Sequence, residues 1–337
     1  MTFTQTKDQT SVFQAYFFSI KGEIPILHII VAMMIFLGYL WLFFSLINAA
    51  PYIPGEPGAP WTEEEVLIVK SKLFSVFNFE GGKWALNQVY SDVFKMCDGE
   101  EDIYTRLPNA AKFLRLGFHD CLKYEDGSGG CDGCLNWENV GKIYTEFEQH
   151  KYPDLHKSDN NGLECAVYLL EHIYTNASFP AKMAPSLKTS LKDSGKSRAD
   201  LWAFASIAAV EYGIISNNMM CEGTYNKNPM HQCHVDVGTD DCELKLPRKI
   251  DFKTGRRDCT SMGDQPFIST KHESHPDIQG NGDMTIDFFQ KDFGMNGKEM
   301  IAIMGSHTLG RLHRSTSLFK YVWTTRGEHL FNNHYFK

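Results

Sequence analysis

Six stretches of this chain repeat their apolar residues at helical spacing, and few segments alternate with the two-residue period of a strand, so the fold has to be mainly α. The helices are expected at Val66 to Phe77, Asn109 to Leu122, Gly162 to Tyr174, Ala199 to Tyr212, Thr285 to Phe293 and Lys298 to His307. Thr62 and Glu65 stand at the spacing of a capping box ahead of the first. Between Ser216 and Gln279 the chain is rich in Gly, Asn, Asp, Cys and Pro, which predicts long ordered loops tied by disulfides. With 43% hydrophobic and 22% charged residues in 337, a disordered, collagenous or many-pass membrane chain is excluded. Acids outnumber bases by 41 to 33, a net charge of −8, which leaves no electrostatic footprint for nucleic acid. A small molecule or a protein is the expected partner.

The run Ile26 to Ile47 holds one ionisable residue, His28, and as a helix would extend about 33 Å, enough for a bilayer core. Lys7 and Lys21 precede it, whereas Glu56, Glu63, Glu64 and Glu65 follow. That bias predicts a cytoplasmic N-terminus at 1–25, a transmembrane signal anchor at 26–47 and an extracellular or lumenal remainder. A cleaved signal ending near Ala49 and Ala50, with secretion of the rest, is the alternative. Residues 48–61, containing PYIPGEPGAP, read as a stiff spacer, and 62–337 as one helical domain. Export agrees with the nine cysteines and makes Asn176 of Asn176-Ala177-Ser178 a glycosylation acceptor.

In KFLRLGFHDC, Arg115, Phe118 and His119 recur at i, i+3 and i+4, so a helix presents them on one face. An imidazole beside a guanidinium can move a proton and offset negative charge. The glycine-rich stretch that follows sets Asp120, Asp126 and Asp132 where carboxylates and carbonyls could face a hard cation, or form a solvated acidic loop. His307, at the end of KEMIAIMGSHTLG, is placed where a neutral imidazole could ligate iron. Zinc at Cys131-x-x-Cys134, or at His231, Cys233, His234 and Cys242, is a competing use of these side chains.

Together these segments resemble the plant-type haem peroxidase superfamily. LRLGFHDC is similar to the distal signature of that family and MGSHTLG to its proximal one, in the same order. DNNGL at 159–163, SRADLWAFASIAAVE at 197–211 and TGRRD at 254–258 resemble segments that lie between them in the family. The resemblance implies a two-lobed, mainly α peroxidase fold with haem b between distal and proximal helices, preceded here by one transmembrane helix. It implies His307 as the axial iron ligand, His119 as the distal acid and base, Arg115 as the charge-stabilising group and Asn160 as the residue that orients His119. Phe118 would wall the pocket. The reaction implied is reduction of hydrogen peroxide to water with one-electron oxidation of a small-molecule or protein donor, as in a response to oxidative stress. The alternative is a non-catalytic peroxidase-like ectodomain that binds protein.

The chain also departs from the family pattern. Phe118 is the residue of the secreted classes, while Trp323 aligns with a tryptophan of the intracellular class. Asp120, Gly130 and Asp132 match a distal calcium site whose serine position is Cys134 here, and Thr308 could begin a proximal one. Cys121 and Cys131 are the pair that the secreted classes would bridge. FNNHYFK at 331–337 resembles the start of the final portion of the family, so the chain is expected to lack later helices and the aspartate that supports the proximal histidine. Glu328 is the only carboxylate after His307.

Overall fold

The computed structural model describes residues 53–77, 110–137, 160, 162–178, 185–227, 250–260, 267–277, 280–311, 323, 331 and 334–336, with side chains to 217 in the segment that ends at 227. All belong to the compact unit Ala49–Lys337. The expected transmembrane run at 26–47 lies outside the described residues.

Helix α1 is Glu63–Phe77, α2 Ala110–Cys121, α3 Glu164–Thr175, α4 Arg198–Lys227, α5 Gly282–Phe293 and α6 Gly297–Met304. Two short 3₁₀ turns occupy Gly305–Thr308 and His334–Phe336. The strands among the described residues are two-residue pieces, β1 Leu135–Asn136 and β2 Ile268–Ser269, paired in parallel as Leu135 with Ile268 and Asn136 with Ser269. The capping box forms as expected: Thr62 N donates to Glu65 Oε2 at 2.7 Å and Glu65 N to Thr62 Oγ1 at 3.2 Å.

The expected helix over Ala199 to Tyr212 is longer, and its continuation to Lys227 takes in residues predicted as loop. No proline falls between Ala199 and Pro229, so nothing there withdraws a backbone donor from the helix. In the other direction, α6 stops at Met304, and His307 stands in the tighter 3₁₀ turn rather than on the α-helix. Gly305 and Ser306 are poor helix formers, and the backbone there shifts to the shorter hydrogen-bond pattern.

The core gathers around α4. Leu201, Trp202, Phe204, Ala205, Ala208 and Ala209 are buried against Leu73 and Val76 of α1, Phe113 and Leu116 of α2, and Leu169, Leu170 and Ile173 of α3. Small residues let α2 and α4 approach closely, and a methyl group at Gly117 would overlap the side chain of Ser206. Apolar burial of this kind contributes roughly 1.5–3 kcal/mol per large side chain.

A buried ionic cluster fixes the N-terminus of α4. Asp258 accepts from the amides of Arg198 at 3.0 Å and Ala199 at 2.8 Å, taking two donors that the first helical turn leaves unpaired. Arg198 in turn meets Glu171 at 2.7 Å and Asp258 at 3.3 Å, and lies over the Tyr174 ring. Asp200 accepts from the amides of Gly255 and Arg256, so the TGRRD loop clasps the same helix end. The stretch expected as a spacer docks here too: Gly55 N bonds Asp258 O, Gly58 N bonds Arg256 O, and Ala59 N bonds Gly195 O.

Asp258→Ala should reduce the unfolding free energy by about 3 kcal/mol, the lower end of the usual cost of leaving one partner of a buried ion pair alone, because Glu171 still faces Arg198. Asp258→Asn keeps an oxygen for the helix amides and should cost less. Denaturant midpoints of the two variants check the order.

Candidate active site

Helix α2 presents Arg115, Phe118 and His119 as its spacing requires, and His119 is buried. The His119 Nδ1 lies 2.9 Å from Asn160 Oδ1. The Asn160 Nδ2 donates to the carbonyl of Asn136 at 2.8 Å and to Glu273 Oε1 at 3.1 Å. With both acceptors on its nitrogen side, the amide can only turn its oxygen toward His119. That oxygen accepts, so the Nδ1 of His119 carries the hydrogen and Nε2 keeps a lone pair. Glu273 Oε1 also accepts from Asn136 N at 2.9 Å, which joins β1 to the same network.

Burial, then the charges of Arg115 and His275, hold the His119 pKa well below its ordinary value, against an upward pull from the Asn160 bond. At neutral pH this imidazole is therefore a neutral base. The Phe118 ring meets His119 edge-on at 5.9 Å and Phe289 of α5 at 6.2 Å, giving the group an apolar wall.

A second cluster surrounds His307. Its Nδ1 donates to the carbonyl of Met304 at 3.0 Å, and burial lowers its pKa. Trp323 and Tyr335 lie 4.4 Å and 5.2 Å from its ring. Here again Nδ1 is engaged and Nε2 retains the lone pair that a metal would need.

The family model described as Peroxidase matches residues 93–335, more than half of the chain. The chain belongs to the plant-type haem peroxidase family. Among its relatives is L-ascorbate peroxidase 2, cytosolic, of Arabidopsis thaliana, 46% identical over 211 residues that cover 60% of this chain and 61% of the relative. The rice protein of the same name is 36% identical over 61 residues, 18% of this chain and 24% of that one. Probable L-ascorbate peroxidase 4, peroxisomal, of Oryza sativa subsp. japonica is 26% identical over 225 residues, 66% of this chain and 53% of the relative. The chain thus spans between 24% and 61% of the length of these relatives.

These matches correct the localisation read from sequence. The relatives are described as cytosolic and peroxisomal, which overturns the expectation of an extracellular or lumenal, membrane-anchored domain and its secreted alternative. Hydropathy alone cannot separate an anchor from other apolar segments: among the described residues, the stretch long and apolar enough to span a bilayer is Arg198–Asn217 of α4, and 67% of it is buried in the protein. The glycosylation reading of Asn176 goes with export. Its Oδ1 accepts from Ser178 N and Oγ at the end of α3.

Haem b is the cofactor of this peroxidase family, and the two histidines fit it. Both are neutral, both commit Nδ1 to an oxygen, and both leave Nε2 as the available donor atom. For calcium the observations are divided: Asp120 Oδ2 is buried with no hydrogen-bond partner, as a cation ligand would be, while the other oxygens of the expected set are engaged within the protein. Asp120 Oδ1 accepts from Gly133 N, Asp132 accepts from Tyr124 Oη and Cys134 N, and the Asp120 carbonyl accepts from Cys131 N beside Gly130. Cys134, at the serine position, is bonded to Cys259 and supplies no oxygen. Among the described residues no three His, Cys, Asp or Glu side chains gather as a metal cage, whereas calcium takes about 6–8 oxygens. Burial and the neighbouring Asp132 push the Asp120 carboxyl well above its usual range. Thr308 is buried at the end of its 3₁₀ turn.

The Cys121–Cys131 disulfide expected from the family is present. Since Cys131 and Cys134 enter different disulfides, the CxxC zinc alternative is excluded. The histidines and cysteines at 231–242, and Glu328, lie outside the described residues.

Sequence reasoning missed Asn136, Glu273, His275, Phe289 and Tyr335. The run HESHP at 272–276, four polar side chains before a proline, was a visible signal, but nothing in it named its target on α2.

In Asn160→Ala the His119 tautomers should exchange, and the imidazole nitrogen-15 resonances should move toward their average. Glu273→Ala leaves Asn136 O to hold the amide and should fall between that variant and the parent. Nitrogen-15 spectra of labelled histidines check both.

Proposed function

We propose that this chain is a haem-dependent peroxidase that reduces hydrogen peroxide to water while a small-molecule donor is oxidised in one-electron steps. The balance is one peroxide, two protons and two electrons to two waters. Ascorbate is the first donor to test, since the relatives are named for it. Removal of peroxide under oxidative stress would be the consequence. One observation carries the reading: the buried His119 has its Nδ1 tied to Asn160, so its Nε2 is a lone-pair base facing away from that bond.

Bound haem b would supply the redox-active iron that transfers electrons between donor and peroxide. His307 would hold it through Nε2, with Trp323 and Tyr335 packed on the imidazole. On the distal side His119 Nε2 takes a proton from peroxide and returns it to the departing oxygen, while Arg115 offsets negative charge as the oxygen–oxygen bond breaks. Asn160 keeps the histidine in the tautomer that both transfers need. Phe118 and Phe289 exclude water, which strengthens each of these interactions.

Protein purified with added haem should show a Soret band and react rapidly with peroxide. His307→Ala should lose the band. His119→Ala should keep it and react with peroxide about 10²–10⁴ times more slowly, the usual share of general acid–base catalysis, with Arg115→Ala slowed less. Stopped-flow absorbance reads all three. A His119→Ala protein as fast as its parent would remove this function.

The pH profile provides a separate check. A histidine whose pKa is lowered stays a neutral base as pH falls through 6.5, the ordinary histidine value. The peroxide step should therefore hold level from pH 7 to below 6.5 and decline only in more acid solution. A His119-dependent inflection at or above 6.5 would contradict the burial argument.

A further inference from the structure

Residues 132–136 lead from the loop after α2 into β1 and are fastened to three other parts of the chain. Gly133 N donates to Asp120 Oδ1 at 2.7 Å, Cys259 N donates to Asp132 O at 2.8 Å, and Leu135 N donates to Phe267 O at 3.3 Å. The segment also lies close against the start of α4, where a methyl group at Gly133 would stand 2.8 Å from Ala199 N. The Cys134–Cys259 disulfide crosses this junction and joins positions 125 residues apart. One of its ends adjoins Asp258, which accepts from the Ala199 amide, and the other stands two residues before Asn136.

At Asn136 this cross-link meets the hydrogen bonds of His119. The Asn136 carbonyl accepts from Asn160 Nδ2 at 2.8 Å, and the Asn136 amide donates at 2.9 Å to Glu273 Oε1, which also accepts from Asn160 Nδ2. Both of these holds on the nitrogen side of the Asn160 amide therefore pass through Asn136. Two residues of chain span at most about 7 Å, so a displacement of Cys134 is not absorbed before it reaches Asn136. From there the Asn160 oxygen carries it to His119 Nδ1, 2.9 Å away. The two ends of the disulfide differ in access: Cys134 is buried, whereas Cys259 is half-buried.

We propose that the Cys134–Cys259 disulfide is a reversible redox control on His119: when formed it fixes Asn136 and the Asn160 amide, and when reduced it loosens both. A dithiol reductant attacks the Cys259 sulfur through one thiolate and expels Cys134, which takes up a proton. The second thiol of the reductant then displaces Cys259 from the mixed disulfide. The protein disulfide thus gains two electrons and two protons, and the dithiol loses them as it closes into its own disulfide. Exchange with an oxidised thiol couple runs the same steps backward. The consequence for activity rests on the peroxidase reading, but the effect on β1 is measurable without turnover.

The haem-loaded protein is compared as oxidised, after reduction with dithiothreitol and desalting, and after re-oxidation with oxidised glutathione. Cys259→Ser, which cannot form the bond, passes through the same steps and controls for Cys121–Cys131 and any other disulfide. Mass spectrometry identifies the thiols released, amide hydrogen exchange reads residues 133–137, and stopped-flow absorbance reads the first reaction with peroxide. Reduction of the parent should speed exchange at Leu135 and Asn136 and slow the peroxide step, each about fivefold, the scale of one lost hydrogen bond. Re-oxidation should restore both, whereas Cys259→Ser should match the reduced parent at every step. A bond that resists dithiothreitol in the folded protein overturns the proposal, as does an equal loss in Cys259→Ser on reduction. A lower thermal midpoint with exchange and rate unchanged makes the disulfide a structural staple and also overturns it. If exchange at 135–136 follows the bond yet neither form reacts with peroxide, the peroxidase reading fails and the coupling stands.

Discussion

The amide of Asn160 joins parts of the chain that are remote in sequence. Its oxygen faces α2 through His119, and its nitrogen faces the Asn136 carbonyl of β1 and the carboxylate of Glu273. Each of these groups is costly to bury without a partner, and the three bonds satisfy them together. The arrangement also has only one sense. Turning the amide over would set its NH2 group against the Nδ1–H of His119 and its oxygen against two acceptors. A single side chain thereby determines both the junction of three segments and the protonation pattern of the His119 imidazole.

The scaffold that makes this possible is the contact between α2 and α4. Gly117 removes the side chain that would hold the helices apart, and the alanines of α4 continue the close approach. The end of α4 is in turn set by Asp258, which neutralises Arg198 and caps the first turn of the helix from 60 residues away in sequence. The Cys134–Cys259 disulfide ties the neighbouring residue of that loop to the end of the distal segment, just before β1. Capping, cross-link and helix packing thus act on the same region, and the His119 face of α2 inherits its position from them.

Much of this was readable from residue order. The helical period located α1, α2 and α3 nearly at their observed ends, because their apolar stripes face a core and their boundaries coincide with local signals such as the Thr62–Glu65 box. The i, i+3, i+4 pattern placed Arg115, Phe118 and His119 on one face, a local property of any helix. The reading was weaker where local preference and packing disagree. Residues 216–227 look like loop by composition yet continue α4, and Gly305 to Thr308 look like the end of a helix yet tighten into a 3₁₀ turn. Hydropathy was the least discriminating signal: a core helix and a bilayer span have the same apolar content and differ only in what surrounds them.

The sequence by itself determined most of the element types from spacing within short stretches, and the resemblance of its motifs, in their order along the chain, pointed to the His119 and His307 segments and to the pairing of Asn160 with His119. Only the tertiary structure decided that Glu273 holds the Asn160 amide, that His275 lies against His119, that the Met304 carbonyl takes the Nδ1 hydrogen of His307, and that Cys134 pairs with Cys259. Three of these four join residues more than 100 positions apart, and the fourth depends on a backbone turn that residue types only weakly favour. Such contacts come from the burial of helix faces and the need to satisfy every polar group carried inside with them. That requirement acts on the assembled chain, and no local stretch of sequence records it.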